Sequence, residues 1–539
     1  MRLISLDYNR TYIEFANHPA PRYLSSMSKF RFRILAWLLL AAPALHAQKL
    51  PAFVTDSLDR YIAREMAAWN VPGLAIAVVK DGKIVASKGY GVRETGKPGK
   101  VTDNTLFQIA SCSKAFTGTA VAMLDHEKKL SLDDTARRWL PGFQLNDPLA
   151  NHTVTLRDLL CHRIGLQTFQ GDFVHWDSDL SRDQIIALMA KHQPQIPFRS
   201  AFGYCNAAYL AAGQAVQAAS GKSWDDFVAE RLFRPLGMTR SSTTYKAITT
   251  DTNACRPYTR WEGKQYMLPY DNIDNLGPAG SINSCVNDLA HWLQLHLDSG
   301  RFNGNEVVPY AALRKTYTPH TIIPRTSAQY PSMHFQAYGL GWFMADIHGR
   351  KIIWHDGGAG GFLSTVCFIP EENVGFVILT NTDNNSLFTA LRYQLIDAFC
   401  GQPYKNYSQR LLPFTQQDQA EGDADIAKWR GEVKTAGQPP VALSAFVGLY
   451  GHPVYGRMAI DMDKNGQLLM RFQHHPQMSA KVEYMGNGKM LCTFNSPLWG
   501  ISPSEFELNA DGTVKTLTIH VPGFLDNMPY VFLKKPPKK

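Results

Sequence analysis

The sequence predicts an α/β (α+β) domain over residues 50–400, built on an antiparallel sheet flanked by helices, followed by a small all-β barrel or sandwich over residues 441–535. Three observations carry this. Strand patterns stand at both ends of the first segment with helical patterns between them. A polar stretch at 401–440 interrupts the hydrophobic rhythm. Beyond it, three hairpin dipeptides recur at an even spacing. A chain of 539 residues exceeds one ordinary domain, and 45% hydrophobic with 19% charged residues excludes a disordered, collagen-like or coiled-coil protein.

Residues 71–92 read as two strands around Asp81-Gly82, a strong hairpin signal. Helical patterns follow at 114–130, 155–160, 182–191, 207–220 and 286–299. Strand patterns return at 351–354, 364–369 and 374–380, so the sheet is expected to draw strands from both ends of the domain. Residues 401–440, rich in Gln, Asp and Lys and ending in Pro439-Pro440, read as a linker. Asn465-Gly466, Asn487-Gly488 and Asp511-Gly512 then mark successive hairpins. Between them, Met458, Ile460 and Met462 alternate with polar neighbours as in a half-buried strand.

The net charge of +9 sits at the ends. Residues 1–47 carry +4 and Lys534, Lys535, Lys538 and Lys539 another +4, leaving +1 for the body. A near-neutral body has no electrostatic footprint for nucleic acid. Residues 27–47 read as a signal peptide: Lys29, Arg31 and Arg33 precede a 12-residue apolar segment at 34–45, and Ala47 precedes Gln48 as a cleavage point, although Leu45 at −3 is larger than preferred. Residues 1–26 are expected to be an overextended start or a leader with no structural role. Twelve residues cannot span roughly 30 Å of hydrocarbon, so the mature protein is expected to be exported, periplasmic or extracellular, without stable membrane insertion. The eight cysteines form no C-x-x-C pair, and most are expected to be buried free thiols.

Several motifs fail. G-x-S-x-G and H-E-x-x-H are absent. Ser220-Gly221-Lys222-Ser223 has Val216 where a phosphate loop needs its first Gly, and His474-His475 on a strand point to opposite faces. One constellation survives. Ser111-Cys112-Ser113-Lys114 opens a helical run, and positions i and i+3 share a helix face, so a desolvated Lys114 amine can activate the Ser111 hydroxyl. Alone the motif is weak, since Ser26-Met27-Ser28-Lys29 fits it too. Tyr204-Cys205-Asn206 stands before the helical run at 207–220, where Tyr204 can shuttle a proton and Asn206 can hold substrate or Lys114. Tyr270-Asp271-Asn272 and Tyr404-Lys405-Asn406 share the spacing without that context. His355-Asp356-Gly357-Gly358 closes a strand, where glycine lets a substrate backbone lie flat against the edge.

Taken together and in this order, Ser-x-x-Lys, Tyr-x-Asn and His-x-Gly resemble the serine β-lactamase and penicillin-binding-protein-like family, in its class C-related esterase and peptidase branch. The stretch from Thr155 to Leu166 is similar to the family's H-x-S-G-L segment, with Ile164 in place of Ser. Pro278-Ala279-Gly280-Ser281-Ile282-Asn283 and Tyr338-Gly339-Leu340-Gly341-Trp342 are also similar to family segments. The resemblance implies a β-lactamase/transpeptidase-like fold over residues 50–400, and the part beginning at Leu443 resembles a small β domain often appended to such hydrolases. It further implies Ser111 as acylated nucleophile, Lys114 as its base, Tyr204 as proton shuttle, Asn206 as site-shaping partner, His355 and Gly357 as substrate-binding residues, and the Ser111 and Gly358 N–H groups as oxyanion hole.

His355 stands where β-lactamases of this branch carry Lys. A mostly neutral imidazole supplies less positive charge, which favours an esterase or a peptidase acting on small D-amino-acid compounds over a β-lactamase or DD-peptidase. The implied substrate is a small ester, amide or D-peptide, with no metal and no cofactor. A non-catalytic binding protein that keeps the fold is the alternative of another class. Every named site residue precedes residue 402, so some activity on small esters is expected to remain when the chain ends near residue 402.

Overall fold

The computed structural model describes residues 50–324, 330 and 333–536. The expected leader at 1–26 and signal at 27–47 lie outside them. The described residues from Pro51 onward form one compact unit.

Helix α1 (Leu58–Ala68) precedes the hairpin of β1 (Gly73–Lys80) and β2 (Lys83–Gly91), which turns at Asp81-Gly82 with φ of +51° and +73°. The middle of the domain is helical: α2 (Ser113–His126), the single turn α3 (Asp172–His175), α4 (Asn206–Ser220) and α5 (Val286–Leu297). Then come β3 (Thr321–Ile323), β4 (Gln336–Tyr338), β5 (Phe343–Ile347), β6 (Arg350–Ala359), β7 (Phe362–Ile369) and β8 (Val374–Thr380). The sheet order is β2-β1-β8-β7-β6-β5-β4-β3, antiparallel throughout, with Leu74 opposite Thr380. Strands from the two ends of the domain therefore pair side by side, β1 with β8, as the strand patterns required. β1 and β8 are buried along their whole length, which explains their continuous apolar runs.

Helix α6 (Leu387–Phe399) leads into residues 401–440. The region expected as a linker contains a 29-residue helix, α7 (Tyr407–Thr435), with Pro413 inside it. Its Gln, Ala, Glu and Lys residues are strong helix formers, and composition alone hid a sparse apolar stripe. Ile426, Trp429 and Val433, spaced i, i+3, i+7, pack on Met485, Leu491 and Ile501 of the second domain. Asp423 and Arg430 pair with Arg260 and Glu262 of the first.

The second domain is a closed eight-stranded antiparallel barrel: β9 (Gly448–His452), β10 (Gly456–Met462), β11 (Leu468–Phe472), β12 (His475–Gly486), β13 (Lys489–Phe494), β14 (Ile501–Leu508), β15 (Val514–Ile519) and β16 (Tyr530–Lys534). Each Asn-Gly or Asp-Gly signal lies between two consecutive strands. Met458 and Ile460 face inward, whereas Met462 is exposed at the strand end. All eight cysteines are free, and all but Cys400 are buried. No described helix is long and apolar enough to cross a membrane.

The barrel does not stand apart from the first domain. Phe173 of α3 is fully buried among barrel aromatics, with ring centroids 4.9 Å from Tyr455, 5.2 Å from Tyr530, 5.7 Å from Phe472 and 5.7 Å from His475. His475 Nε2 donates to the Trp176 carbonyl (2.8 Å), while the neighbouring His474 turns the other way to Asp179. One apolar core runs through both domains. Removing the β domain would therefore open part of this shared core to water. Phe173→Ala, which empties an aromatic site, is expected to lower stability by about 3–5 kcal/mol in denaturant unfolding, with Phe173→Leu retaining most of it. A loss of under about 1 kcal/mol would show that the ring is not part of a shared core.

Candidate active site

Ser111 lies in a 3-10 turn (Ala110–Cys112) that feeds directly into α2. Ala110 before it holds φ +45°, a backbone region that residues with a Cβ seldom adopt. Helix α2 is buried on every face from Ser113 to Leu124, which carries Lys114 into the interior. Lys114 Nζ lies 3.0 Å from Ser111 Oγ, 2.6 Å from Asn206 Oδ1 and 2.7 Å from the Ala279 carbonyl oxygen.

This geometry has a direct chemical reading. Asn206 Oδ1 and the Ala279 carbonyl can only accept, so each takes one N–H of the lysine. In the ammonium the third N–H points at Ser111 Oγ. In the free amine the same direction holds the lone pair, and the Ser111 O–H can donate to it. Burial pushes the Lys114 pKa down to about 7, while Asp172, Cys205 and Cys112 oppose the shift, so the amine is available near neutrality. No solvent reaches the side chain.

Asn206 opens α4, and Tyr204 lies just before it. The Tyr204 ring has Lys114 Nζ 4.6 Å from its centroid and stacks on His162 at 4.3 Å. Burial raises the phenol pKa well above its ordinary value, opposed by a hydrogen bond with Ser111. His162 Nδ1 accepts the Cys205 N–H (3.0 Å), which fixes the ring beneath Tyr204.

β6 supplies the wall. It pairs with β5 only from Arg350 to Trp354, whereas its pairing with β7 runs to Ala359. From His355 onward, one edge of β6 therefore has no strand partner. Cys112 Sγ donates to the His355 carbonyl (3.3 Å), and Ser364 Oγ donates to the Ile109 carbonyl (2.8 Å), holding the serine turn against β6 and β7. Gly357 is required by close approach: a Cβ there would collide with the Ile109 carbonyl and Ser364 Oγ, whereas one at Gly358 would meet only Leu363 Cδ2 at 3.5 Å. Gly358 is exposed at this edge and Gly357 is buried.

The structure thus brings Ser111, Lys114, Tyr204 and Asn206 together, with Gly358 on the free edge. It alters the reading of two residues. The missing side chain at Gly357 serves close packing against the serine turn. The His355 ring is 1% exposed and has no free nitrogen. Its Nδ1 faces the Asp356 carbonyl (2.6 Å) and so carries the proton, leaving Nε2 to accept from Tyr338 O–H (2.9 Å). Burial, with Lys114 adding to it, pushes the His355 pKa down to about 3, so the ring is neutral. His355 therefore offers a substrate neither charge nor a free donor.

Sequence reasoning missed Asp172, whose Oδ2 accepts from Asn206 Nδ2 (2.5 Å), and Tyr338, which holds His355. It also missed the role of the Ala279 carbonyl. Asp172 belongs to no motif, whereas Ala279 and Tyr338 lie in segments that the resemblance had picked out. No group of three or more His, Cys, Asp or Glu placed to hold a metal ion occurs among the described residues.

A lysine buried against a serine one helical turn away, beneath a free strand edge on this sheet, belongs to the serine hydrolases. A family model described as Beta-lactamase matches residues 58–399, and the chain belongs to that family. A second, described as a domain of unknown function (DUF3471), matches residues 433–530. Among curated relatives, the Unguisins hydrolase ungD' of Aspergillus campestris is 26% identical over 501 residues, covering 86% of this chain and 88% of the relative. Protein flp of Staphylococcus aureus is 27% identical over 341 residues, covering 61% and 63%. In fold, the chain is similar to the octameric penicillin-binding protein homologue from Pyrococcus abyssi, with a TM-score of 0.57, 21% identity, and coverage of 89% of this chain and 100% of that one.

Because only position 357 faces the Ile109 carbonyl, Gly357→Ala is expected to cost about 1–3 kcal/mol in thermal unfolding, and Gly358→Ala markedly less. Equal effects would remove the distinction between the two glycines.

Proposed function

We propose that this chain is an exported serine hydrolase that cleaves an ester or amide bond through an acyl-Ser111 intermediate, of the esterase or D-stereospecific peptidase type. The observation that carries this reading is the orientation of the Lys114 amine, whose lone pair in the free base is directed at Ser111 Oγ.

In the acylation step Ser111 Oγ attacks the carbonyl carbon while its proton passes to Lys114 Nζ. The tetrahedral oxyanion is stabilised by backbone N–H groups of Ser111 and Gly358. Collapse expels the alcohol or amine, which takes a proton through Tyr204 O–H, resupplied from Lys114. Water then attacks the acyl-serine, delivering its proton by the reverse path, and releases the acid and free Ser111. Tyr204 keeps its proton in the resting enzyme, because burial makes its phenolate unfavourable.

The neutral, fully engaged His355 favours this reading over a β-lactamase or DD-peptidase, since no charge at that position greets a substrate carboxylate. A binding protein that has lost catalysis finds no support in a Ser–Lys contact of 3.0 Å. The relative named as an unguisins hydrolase supports a hydrolytic outcome.

Three outcomes test this. On a short p-nitrophenyl ester, Ser111→Ala is expected to lose on the order of 10³–10⁶ in kcat, and equal activity of the two forms would sink the assignment. Because the folded Lys114 pKa is depressed to about 7, the competent free amine accumulates as pH rises, so kcat/KM is expected to climb through about pH 7 and level off above it. An alkaline rise with a midpoint near that of an unperturbed lysine would contradict the sealed-amine account. N-terminal sequencing of the secreted protein is expected to begin at Gln48, and intracellular retention of the full chain would refute export.

A further inference from the structure

Lys114 is held by Asn206, and Asn206 is held in turn from behind. Its Nδ2 donates to Asp172 Oδ2, which can only accept while ionised. An amide has an oxygen end and a nitrogen end of nearly the same shape. The Asp172 contact decides which end faces the lysine, and turns Oδ1 toward Nζ. Asp172 itself sits between two backbone N–H groups, those of Gly171 and Phe173, that both donate to Asp526 Oδ2 at 2.9 and 3.3 Å. Asp526 belongs to the barrel. The same oxygen accepts Tyr530 O–H (2.5 Å), and Asp526 Oδ1 accepts the Met528 N–H (2.9 Å). Asp172 and Asp526 are both buried.

We propose that Asp172 and Asp526 form a carboxyl pair, one from each domain, that positions Lys114: Asp172 orients Asn206 and steadies the lysine's charge, and Asp526 tunes Asp172 from the barrel. The barrel is then part of the active site rather than an independent attachment. This rests on the acyl-Ser111 reading, and its test is chosen so that the two can fail separately.

The groups that face this network fix the signs. Lys114 is faced by Ser111 and Cys112 from its own turn, by Tyr204, Cys205, Asn206 and Tyr209 from the α4 segment, by His162, by His355 of β6 and by Asp172 of α3. Asp172 is the one carboxylate among these, and its charge favours the ammonium. Asp172 is faced by Asn206, Lys114, Tyr204 and Cys205, and from the barrel by Asp526 and Tyr530; burial raises its pKa first, and repulsion from Asp526 raises it further. Removing the charge at 172 therefore makes Lys114 easier to deprotonate. Removing the charge at 526 lets Asp172 ionise more readily, which makes Lys114 harder to deprotonate.

The experiment is a carbon-13 NMR titration of the lysine Cε signals in the full chain, with the Lys114 signal identified by its loss in Lys114→Met, run beside the pH profile of kcat/KM. In Asp172→Asn the Lys114 midpoint is expected to fall by about one pH unit or more, the scale of one nearby charge. In Asp526→Asn it is expected to rise. Tyr530→Phe removes the hydroxyl that supports the Asp526 carboxylate, so a smaller rise is expected there, and this variant serves if Asp526→Asn does not fold. Simple loosening that admits water would raise the midpoint in every variant. A rise in Asp172→Asn, or unchanged midpoints throughout, therefore overturns the proposal. Opposite NMR shifts that the activity profile does not follow would uphold the pair and refute the acyl-Ser111 reading instead.

Discussion

A primary amine sealed inside a protein is costly unless its hydrogens have partners, and the hydrolase domain is arranged around meeting that condition for Lys114. Three segments distant in sequence each bring one oxygen to Nζ: the serine turn, the start of α4 and the short stretch at Ala279. Two of these oxygens are pure acceptors, and only the third can exchange the roles of donor and acceptor. The directionality of the Ser111 contact is thus set by the two contacts that do no chemistry. The antiparallel sheet matters because it anchors the wall opposite: β6 parts from β5 at Trp354, and the serine turn is tied to β6 and β7 through Cys112 and Ser364.

The same constraint explains why much of the site could be read from the sequence. Ser111 and Lys114 are one helical turn apart, and Tyr204 and Asn206 flank the start of a helix, so local spacing already fixes which side chains share a face. Hairpin dipeptides mark the barrel turns for the same reason, since the φ values they need belong to the dipeptide itself. The α7 helix escaped because its buried stripe is only Ile426, Trp429 and Val433 within 29 residues, too thin to stand out against Gln, Asp and Lys. Asp172 and Asp526 escaped for a deeper reason. The hydrogen bonds that join Asp526 to the two neighbours of Asp172 span 355 and 353 positions, and nothing near either residue records the other.

His355 shows how a motif can match while the surroundings of its side chain differ from those expected. The residue occupies the strand position that the resemblance predicts, yet its imidazole is turned into an aromatic cluster with Tyr338, where burial and Lys114 together keep it uncharged. The position next to the reacting groups is therefore apolar in effect. A lysine there would bring a second buried cation close to Lys114 and hold the pKa of each below its ordinary range. Replacing it with a neutral ring leaves the full benefit of desolvation to the one amine that faces the serine.

The dependence on a second domain follows from the same physics. Lowering the proton affinity of Lys114 requires burial, but burial without any counter-charge would leave the ammonium formed during turnover unsupported. Asp172 supplies that charge at one remove, through Asn206, where it moderates the lysine without pairing with it outright. A carboxyl in that place must itself be shielded from water, and the shield is the barrel: Phe173 fills its aromatic interior while Asp526 accepts the two N–H groups on either side of Asp172. Phe173 and Asp172 are adjacent on one helical turn, so the residue that docks the barrel and the residue that steadies the lysine cannot move independently. A chain that needs a moderated amine, neither fully paired nor fully isolated, thereby gains a physical reason to keep the barrel docked.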